Sequence, residues 1–370
     1  MRRINVSALK SGVKLGRPVY SSGGDILLKA GTVLNDGYIK KLKKIGVSFV
    51  FVEDDQAPQH IPGDVVARDT RVAAVKQVKD VLLETKETGK LVIDPQSIYS
   101  TVSEFTDQLL SSNALVYSLY DLRSQDDYTF AHSVNVCVLS LLTGITLGYS
   151  NNRLMDLGLG AILHDIGKMK VPTEVLNKPG KLTEDEFKII KQHTVLGHEL
   201  IENAGNLGRV PSTIAYQHHE SLDGSGYPLG VSGDQFSEYA QIVSIADKFD
   251  ALTANRVYHS PFPAHEAYEM CAGSGSYWFS ERVVKAFLYN IAAYPEGTPV
   301  KLSNGLIAVA LDTPKGHSLF PKVRVVLHQD SGPFQEPYEI ALYARKDIQV
   351  VSVLEEDEFK ELMGGYGDQS

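Results

Sequence analysis

A mainly α-helical chain is what this sequence predicts: a helical central region flanked by a small N-terminal α/β module and a small β-rich C-terminal region. Three observations predict it. Between Tyr128 and Phe287, apolar residues recur at helical spacing in segments separated by glycine and proline. Before residue 55, short strand-like runs surround one cappable helix, and after Tyr294-Pro295-Glu296-Gly297 strand-like runs return. The 370 residues also exceed what one hydrophobic core usually organises, so two or three domains are expected.

In chain order, Val19-Tyr20, Ile26 to Leu28 and Val47 to Val52 have strand character, with Gly23-Gly24 as a turn. Asn35 can cap a helix whose apolar positions are Ile39, Leu42 and Ile45. Residues 1–55 are therefore the N-terminal α/β module. Residues 56–122 combine a linker rich in Asp, Pro and Gly with helices that carry Val72, Val75, Val78 and Leu82 at helical intervals, then continue from Val102 to Leu122. Residues 123–295 hold helical segments at Val134 to Leu147, Leu154 to Leu163, Glu184 to Glu202, Ser212 to His219, Tyr239 to Ala254 and Glu281 to Ile291. Residues 296–370 read as β-rich, with strands at Val300 to Leu302, Leu306 to Leu311, Val323 to Leu327 and 349–354.

Composition excludes some classes. Lysine and arginine total 36 against 45 acidic residues, a formal net charge of −9, so no general field attracts a nucleic-acid polymer. Met1-Arg2-Arg3-Ile4-Asn5 has no apolar run behind it, and no later stretch offers the ~18 uncharged apolar residues of a membrane span, so a cytoplasmic protein without a membrane partner is expected. Cys137 and Cys271, the two cysteines, read as buried inert thiols.

The chemistry-bearing residues concentrate in the central region. His132, His164, His193, His218 and His219 lie on or beside predicted helices, and Asp165 follows His164 within Leu163-His164-Asp165-Ile166-Gly167-Lys168. A lone histidine of this kind is more often structural; five arranged with Asp165 and Asp247 point to metal. Two cations about 3.5–4 Å apart can share a carboxylate, activate water and screen charge on a phosphorus centre, which is the chemistry of phosphodiester hydrolysis. Imidazole and carboxylate together suit iron, manganese or zinc better than calcium. The run from His218 to Pro228, with Gly224, Gly226 and Pro228, forms an ordered loop of the sort that carries recognition groups.

From Tyr128-Thr129-Phe130-Ala131-His132-Ser133 to Phe287 the chain resembles the HD-GYP family, a branch of the HD metal-dependent phosphohydrolases associated with cyclic di-GMP breakdown. The resemblance rests on an ordered set. It comprises His164-Asp165-Ile166-Gly167-Lys168, Leu176-Asn177-Lys178-Pro179-Gly180-Lys181-Leu182-Thr183, His193, His218-His219 with Asp223-Gly224-Ser225-Gly226-Tyr227-Pro228, and Ala246-Asp247-Lys248-Phe249-Asp250-Ala251-Leu252-Thr253. It implies an HD-type catalytic domain over residues 123–295, and it implies two divalent metal ions: one held by His132, His164, Asp165 and Asp247, the other by Asp165, His193, His218 and His219. Iron or manganese is the expected identity, with zinc, nickel or cobalt as alternatives. Asp165 and Lys168 would be catalytic, with Lys168 meeting a phosphate oxygen. Arg256 would help hold the dinucleotide, and His259 stands where a lysine or arginine is frequent. Tyr227 either stacks on a guanine or plugs its loop onto the helices. Asp250 is expected to support a metal histidine, and His198 to be no ligand. Tyr128 replaces the glutamate that brings a third metal in some members, and Gln241 replaces a frequent arginine.

The activity thus implied is hydrolysis of cyclic di-GMP to linear pGpG, with a second cut to GMP if the linear form rebinds. A phosphohydrolase for another nucleotide, or a cyclic-dinucleotide sensor acting through protein contacts, are the rival readings. Cyclic di-GMP is the implied partner; a signalling protein and a homodimer are compatible with the same residues.

Overall fold

The computed structural model describes residues 2–20, 26–47, 49–53, 65–112, 128–254, 261–330, 332–345 and 347–364. The expected Gly23-Gly24 turn and most of the expected linker lie outside them. The chain divides into two compact units. One is built from residues 1–63, 114–125 and 291–370, the other from 64–113 and 126–290.

In the N-terminal part of the first unit, β1 (Arg2–Asn5) pairs antiparallel with β4 (Phe49–Val52), and β2 (Val19–Tyr20) with β3 (Ile26–Leu28). The helix α1 (Asp36–Lys44) is capped by Asn35, whose side chain accepts from the Tyr38 amide at 2.9 Å. Ile4, Leu15, Leu34, Leu42 and Val50 form its core. Strand β1 was not expected, because Arg2-Arg3 masks a run with only one apolar residue.

The second unit is helical. Helix α2 (Arg68–Thr88) ends at Gly89, which takes the left-handed conformation, and α3 (Pro95–Ser111) begins behind the cap Asp94. Helix α4 (Tyr128–Thr146) lies at the centre, packed against α2, α5 (Asn151–Leu163), α10 (Glu238–Thr253) and α12 (Glu281–Leu288). Its stretch Thr129–Thr146 is long and apolar enough to cross a membrane, contrary to expectation, and is 78% buried among the other helices. A helix contacted all round needs no polar face. Helix α5 is pressed between neighbours, since a Cβ on Gly158 would fall 2.5 Å from Val102 and one on Gly160 2.3 Å from Ile214.

A 3-10 turn (Ile166–Lys170) and the short α6 (Thr173–Leu176) follow. The single helix expected over Glu184 to Glu202 is two, α7 (Glu184–Lys191) and α8 (His193–Ala204). Thr183 and Glu186 form a capping box at its start. At the break, His193 Nδ1 donates to the Ile190 carbonyl (2.6 Å) and Thr194 Oγ1 to that of Lys191 (3.0 Å), so side chains satisfy carbonyls near the helix end. Helix α9 (Arg209–Gln217) precedes the glycine-rich loop. The unexpected α11 (Ala264–Ala272) lies between α10 and α12.

The C-terminal part of the first unit is a five-stranded antiparallel sheet: β5 (Pro299–Leu302), β6 (Leu306–Asp312), β7 (Lys322–His328), β8 (Gly332–Ala341) and β9 (Val350–Val353), in the order β8-β7-β6-β5-β9. Strand β8 was missed because Pro333 and Pro337 argue against a strand; it is an edge, where proline is tolerated. A terminal helix, α13 (Glu356–Gly364), also missed, sets Phe359 against Leu354, Val326 and Leu327.

Candidate metal centre

The helical unit brings all seven expected metal residues together. His132 lies in α4; His164 ends α5; Asp165 follows at φ −100° and ψ 8°, opening the turn that carries Lys168. His193 opens α8, His218 and His219 follow α9, and Asp247 lies in α10. His132, His164, Asp165, His193, His218 and Asp247 are buried and His219 is half-buried.

Asp165 divides the cluster. Its Oδ1 is 3.5 Å from His193 Nε2 and 3.7 Å from His218 Nε2, while its Oδ2 is 3.3 Å from His164 Nε2 and 3.9 Å from His132 Nε2. His132 Nε2 also meets Asp247 Oδ1 at 3.0 Å. Ligand atoms of Asp165, His193, His218 and His219 lie within 4.8 Å of one another, as do those of His132, His164 and Asp165. The Lys168 ammonium donates to Asp165 Oδ2.

Four of the five imidazoles are oriented by their Nδ1 atoms. His164, His193 and His218 each bond the main-chain carbonyl three residues earlier, on Ala161 (2.8 Å), Ile190 (2.6 Å) and Ala215 (3.0 Å). His132 bonds Asp250 Oδ2 at 2.7 Å, and Asn135 holds Asp250 Oδ1 at 3.1 Å. On His164, His193 and His218 a hydrogen at Nδ1 leaves the lone pair at Nε2, the form in which histidine binds metal. The Nε2 atoms of His193 and His218 are 3.2 Å apart, and His164 Nε2 and Asp165 Oδ1 are buried without a hydrogen-bond partner. Buried acceptors left facing one another are costly. A divalent cation relieves that cost, so this donor set fits such an ion.

Electrostatics agree with the division. Burial alone would raise the Asp165 carboxyl, but Lys168 and His164 overcome it and hold the group well below the usual carboxylate range. Asp247 is likewise held low against burial by His132. Burial pulls His193 down to about 3, and lowers His218 and His219 too. His132 is opposed by burial, but Asp247 and Asp250 on its two nitrogens raise it to about 9.

The loop after His219 is held by Glu220, a buried residue whose Oε1 accepts from the Leu229 amide at 2.7 Å. Gly226 passes so close that a Cβ there would lie 2.4 Å from Glu220 Cα. Tyr227 stacks on His219 with ring centroids 4.8 Å apart at 26°, and Lys191 covers its ring at 4.8 Å. This contact accounts for the loop-plugging alternative.

Gln241 is a strut: it donates to the Phe236 carbonyl and accepts from the Ser280 amide, both at 3.0 Å. His198 faces away from the cluster, stacked on Tyr216 and bonded to the Ser212 carbonyl. Arg256 and His259 lie outside the described residues. Asn135 and Glu220 escaped sequence reasoning. Asn135 is three residues after His132, a spacing that puts both on one helical face and could have signalled it.

Residues 120–283 match the HD domain family. A domain of this kind implies divalent-metal binding, and the histidine–aspartate cluster is where its donors converge. The chain is 34% identical over 233 residues to a cyclic di-GMP phosphodiesterase of Pseudomonas aeruginosa, covering 63% of this chain and 56% of that protein. It is 34% identical over 200 residues to a cyclic di-GMP phosphodiesterase of Thermotoga maritima, covering 54% of each. It thus spans little more than half the length of these curated relatives. Among solved structures, Bd1817, an HDG"Y"P protein from Bdellovibrio bacteriovorus, is 17% identical with a TM-score of 0.47, covering 77% of this chain and 97% of that one.

Proposed function

We propose that this protein is a metal-dependent phosphodiesterase that hydrolyses cyclic di-GMP to linear pGpG, the same site cutting pGpG to GMP only where the linear form rebinds. The observation that carries the reading is the buried carboxylate of Asp165, whose two oxygens face separate groups of histidines. The HD domain and the similarity to two cyclic di-GMP phosphodiesterases support it.

On this reading His132, His164, Asp165 and Asp247 hold one divalent ion, and Asp165, His193, His218 and His219 a second, with iron or manganese suited to the mixed nitrogen and oxygen donors. When bound, the pair supplies Lewis acidity toward the phosphate and activates the attacking water. The chain's own residues do the rest. Asp165 spans the two groups and fixes their separation. Asp250, steadied by Asn135, keeps the His132 ring turned inward. Lys168, a quarter exposed beside Asp165, supplies an ammonium to offset charge building on phosphate oxygens. Arg256 and His259 are the proposed grips on the second phosphate. A nucleotide substrate fits a cytoplasmic location.

Anaerobic purification, metal analysis and an assay on several cyclic dinucleotides test this. Metal-dependent release of pGpG from cyclic di-GMP is expected. Metal-loaded protein that binds cyclic di-GMP and leaves it intact, with iron and manganese each tried under reducing conditions, would overturn the reading in favour of a sensor.

A further inference from the structure

Helix α10 uses two neighbouring faces. Asp247 and Asp250 meet His132 on one. Lys248, turned about 100° from Asp247 around the helix, lines with Leu252 a cavity of about 880 Å³ that the metal residues do not enter. Met270, Trp278 and Phe279 form another part of its wall, and Asp223 also lines it. The Leu222 amide donates to the Trp278 carbonyl (3.1 Å) and the Asp223 amide to that of Tyr277 (3.0 Å). Those bonds tie the loop beginning at His219 to the wall that carries the indole. The cavity is therefore built onto the same two segments that present His219 and Asp247.

Its chemistry selects a class of ligand. A cavity of this size lies in the range of small-molecule sites, which are mostly apolar with a few placed polar groups. Here the placed groups are one ammonium and one carboxylate. Lys248 Nζ lies 4.8 Å from the Trp278 ring centre and 4.6 Å from that of Phe279. Asp223 Oδ1 is engaged by the Ser225 amide (3.0 Å) and hydroxyl (2.6 Å), which leaves Oδ2 outside that turn. Trp278 is 45% exposed, so its indole is open to stacking. A flat heterocycle with donors on one edge and acceptors on another matches this set. Guanine carries N1–H and N2–H₂ donors for a carboxylate, with O6 and N7 acceptors for an ammonium. Adenine would turn its N1 lone pair towards Asp223 and its amino group towards Lys248.

We propose that this cavity is the subsite for one base of the substrate, with Trp278 as the stacking platform and Asp223 and Lys248 selecting guanine over adenine. The proposal rests on the phosphodiesterase reading and deepens it by naming the groups that read the base.

Trp278 is the single tryptophan of the chain, so its fluorescence reports on the cavity without any need for turnover. Full-length protein, without added metal, is titrated with cyclic di-GMP, GMP and AMP. Cyclic di-GMP and GMP are expected to quench the emission, and AMP to need about tenfold higher concentration or more. Asp223→Asn, which retains a side-chain acceptor for Ser225, and Lys248→Met should each shrink that difference. In hydrolysis assays, Trp278→Ala should raise KM for cyclic di-GMP about tenfold or more with kcat little changed; circular dichroism verifies folding. Unchanged emission with all three nucleotides, or wild-type KM in Trp278→Ala and Asp223→Asn, would overturn the subsite while leaving hydrolysis in place. Quenching by cyclic di-GMP without hydrolysis after metal loading would instead overturn the enzymatic reading and leave the subsite standing.

Discussion

Asp165 in the helical unit and Glu296 in the terminal unit are both buried, 1% and 8% exposed. Asp165 is surrounded by imidazoles and bonded to Lys168, and its carboxyl is held well below the usual range. Glu296 has an oxygen, Oε2, with no hydrogen-bond partner; burial pushes its carboxyl up to about 7, with Arg17 pulling only partly against it. The same penalty for desolvating a charge is present in both units. What differs is whether the surrounding residues supply compensating positive charge and donors. One unit buries its acid as a charged centre, and the other carries a buried acid that titrates near neutrality.

The largest way to break that contrast is at Asp165. Asp165→Asn keeps the shape but removes the charge shared between the two histidine groups. Bound metal should fall and turnover should drop at least about a thousandfold, while circular dichroism shows a helical protein. Metal stoichiometry measured on the same preparation decides it: two ions per chain with full activity would mean that Asp165 does not join the groups.

Gly167→Ala attacks one group without touching a ligand. The new Cβ would lie 1.9 Å from the His193 carbonyl oxygen and 2.5 Å from the Gly197 nitrogen, so the start of α8 must move. A stability loss of about 1–3 kcal/mol is expected, together with weakened metal at the His193 group. Thermal melting and metal titration would check both; an unchanged melting temperature would show that the turn yields without cost.

A smaller effect is expected on the other group. Asp250→Ala removes the partner of His132 Nδ1 and should weaken metal binding about 10–100-fold. If affinity were unchanged by calorimetric titration, the His132 ring would be held by packing alone.

The smallest prediction concerns the terminal unit. Glu296 has a folded pKa of about 7 against 4.5 for a free glutamate, so the folded state binds the extra proton between those values. Its contribution is complete below about pH 4.5 and is lost as pH rises through about 7, amounting to at most about 3 kcal/mol. Glu296→Gln should flatten the fall in melting temperature between pH 5 and pH 8. An equal fall in the variant would assign the pH dependence to other groups.

Much of this was legible in the sequence, for physical reasons. The helices carrying His132, His164 and Asp247 show as helix-length apolar runs bounded by glycine, serine or proline, and the cap at Asn35 and the strands β5, β6 and β7 follow from local composition. Other features depend on partners far away in sequence. The break before His193 depends on side chains that bond helix-end carbonyls, and β8 on the neighbour that makes a proline-bearing run an edge. The cavity at Lys248 needs residues from three segments, 223, 248–252 and 262–279, which no window brings together.

Three of the histidines take their ring direction from main-chain carbonyls three residues upstream, on Ala161, Ile190 and Ala215. A carbonyl is present whatever side chain stands there. Alignment is therefore insensitive to neutral drift at these upstream positions, provided the helix keeps its path. Fragility is displaced to positions where the path itself has no slack, Gly167 and Gly226 among them, so a saturation scan of this unit should find its intolerant sites clustered at glycines that never touch a ligand.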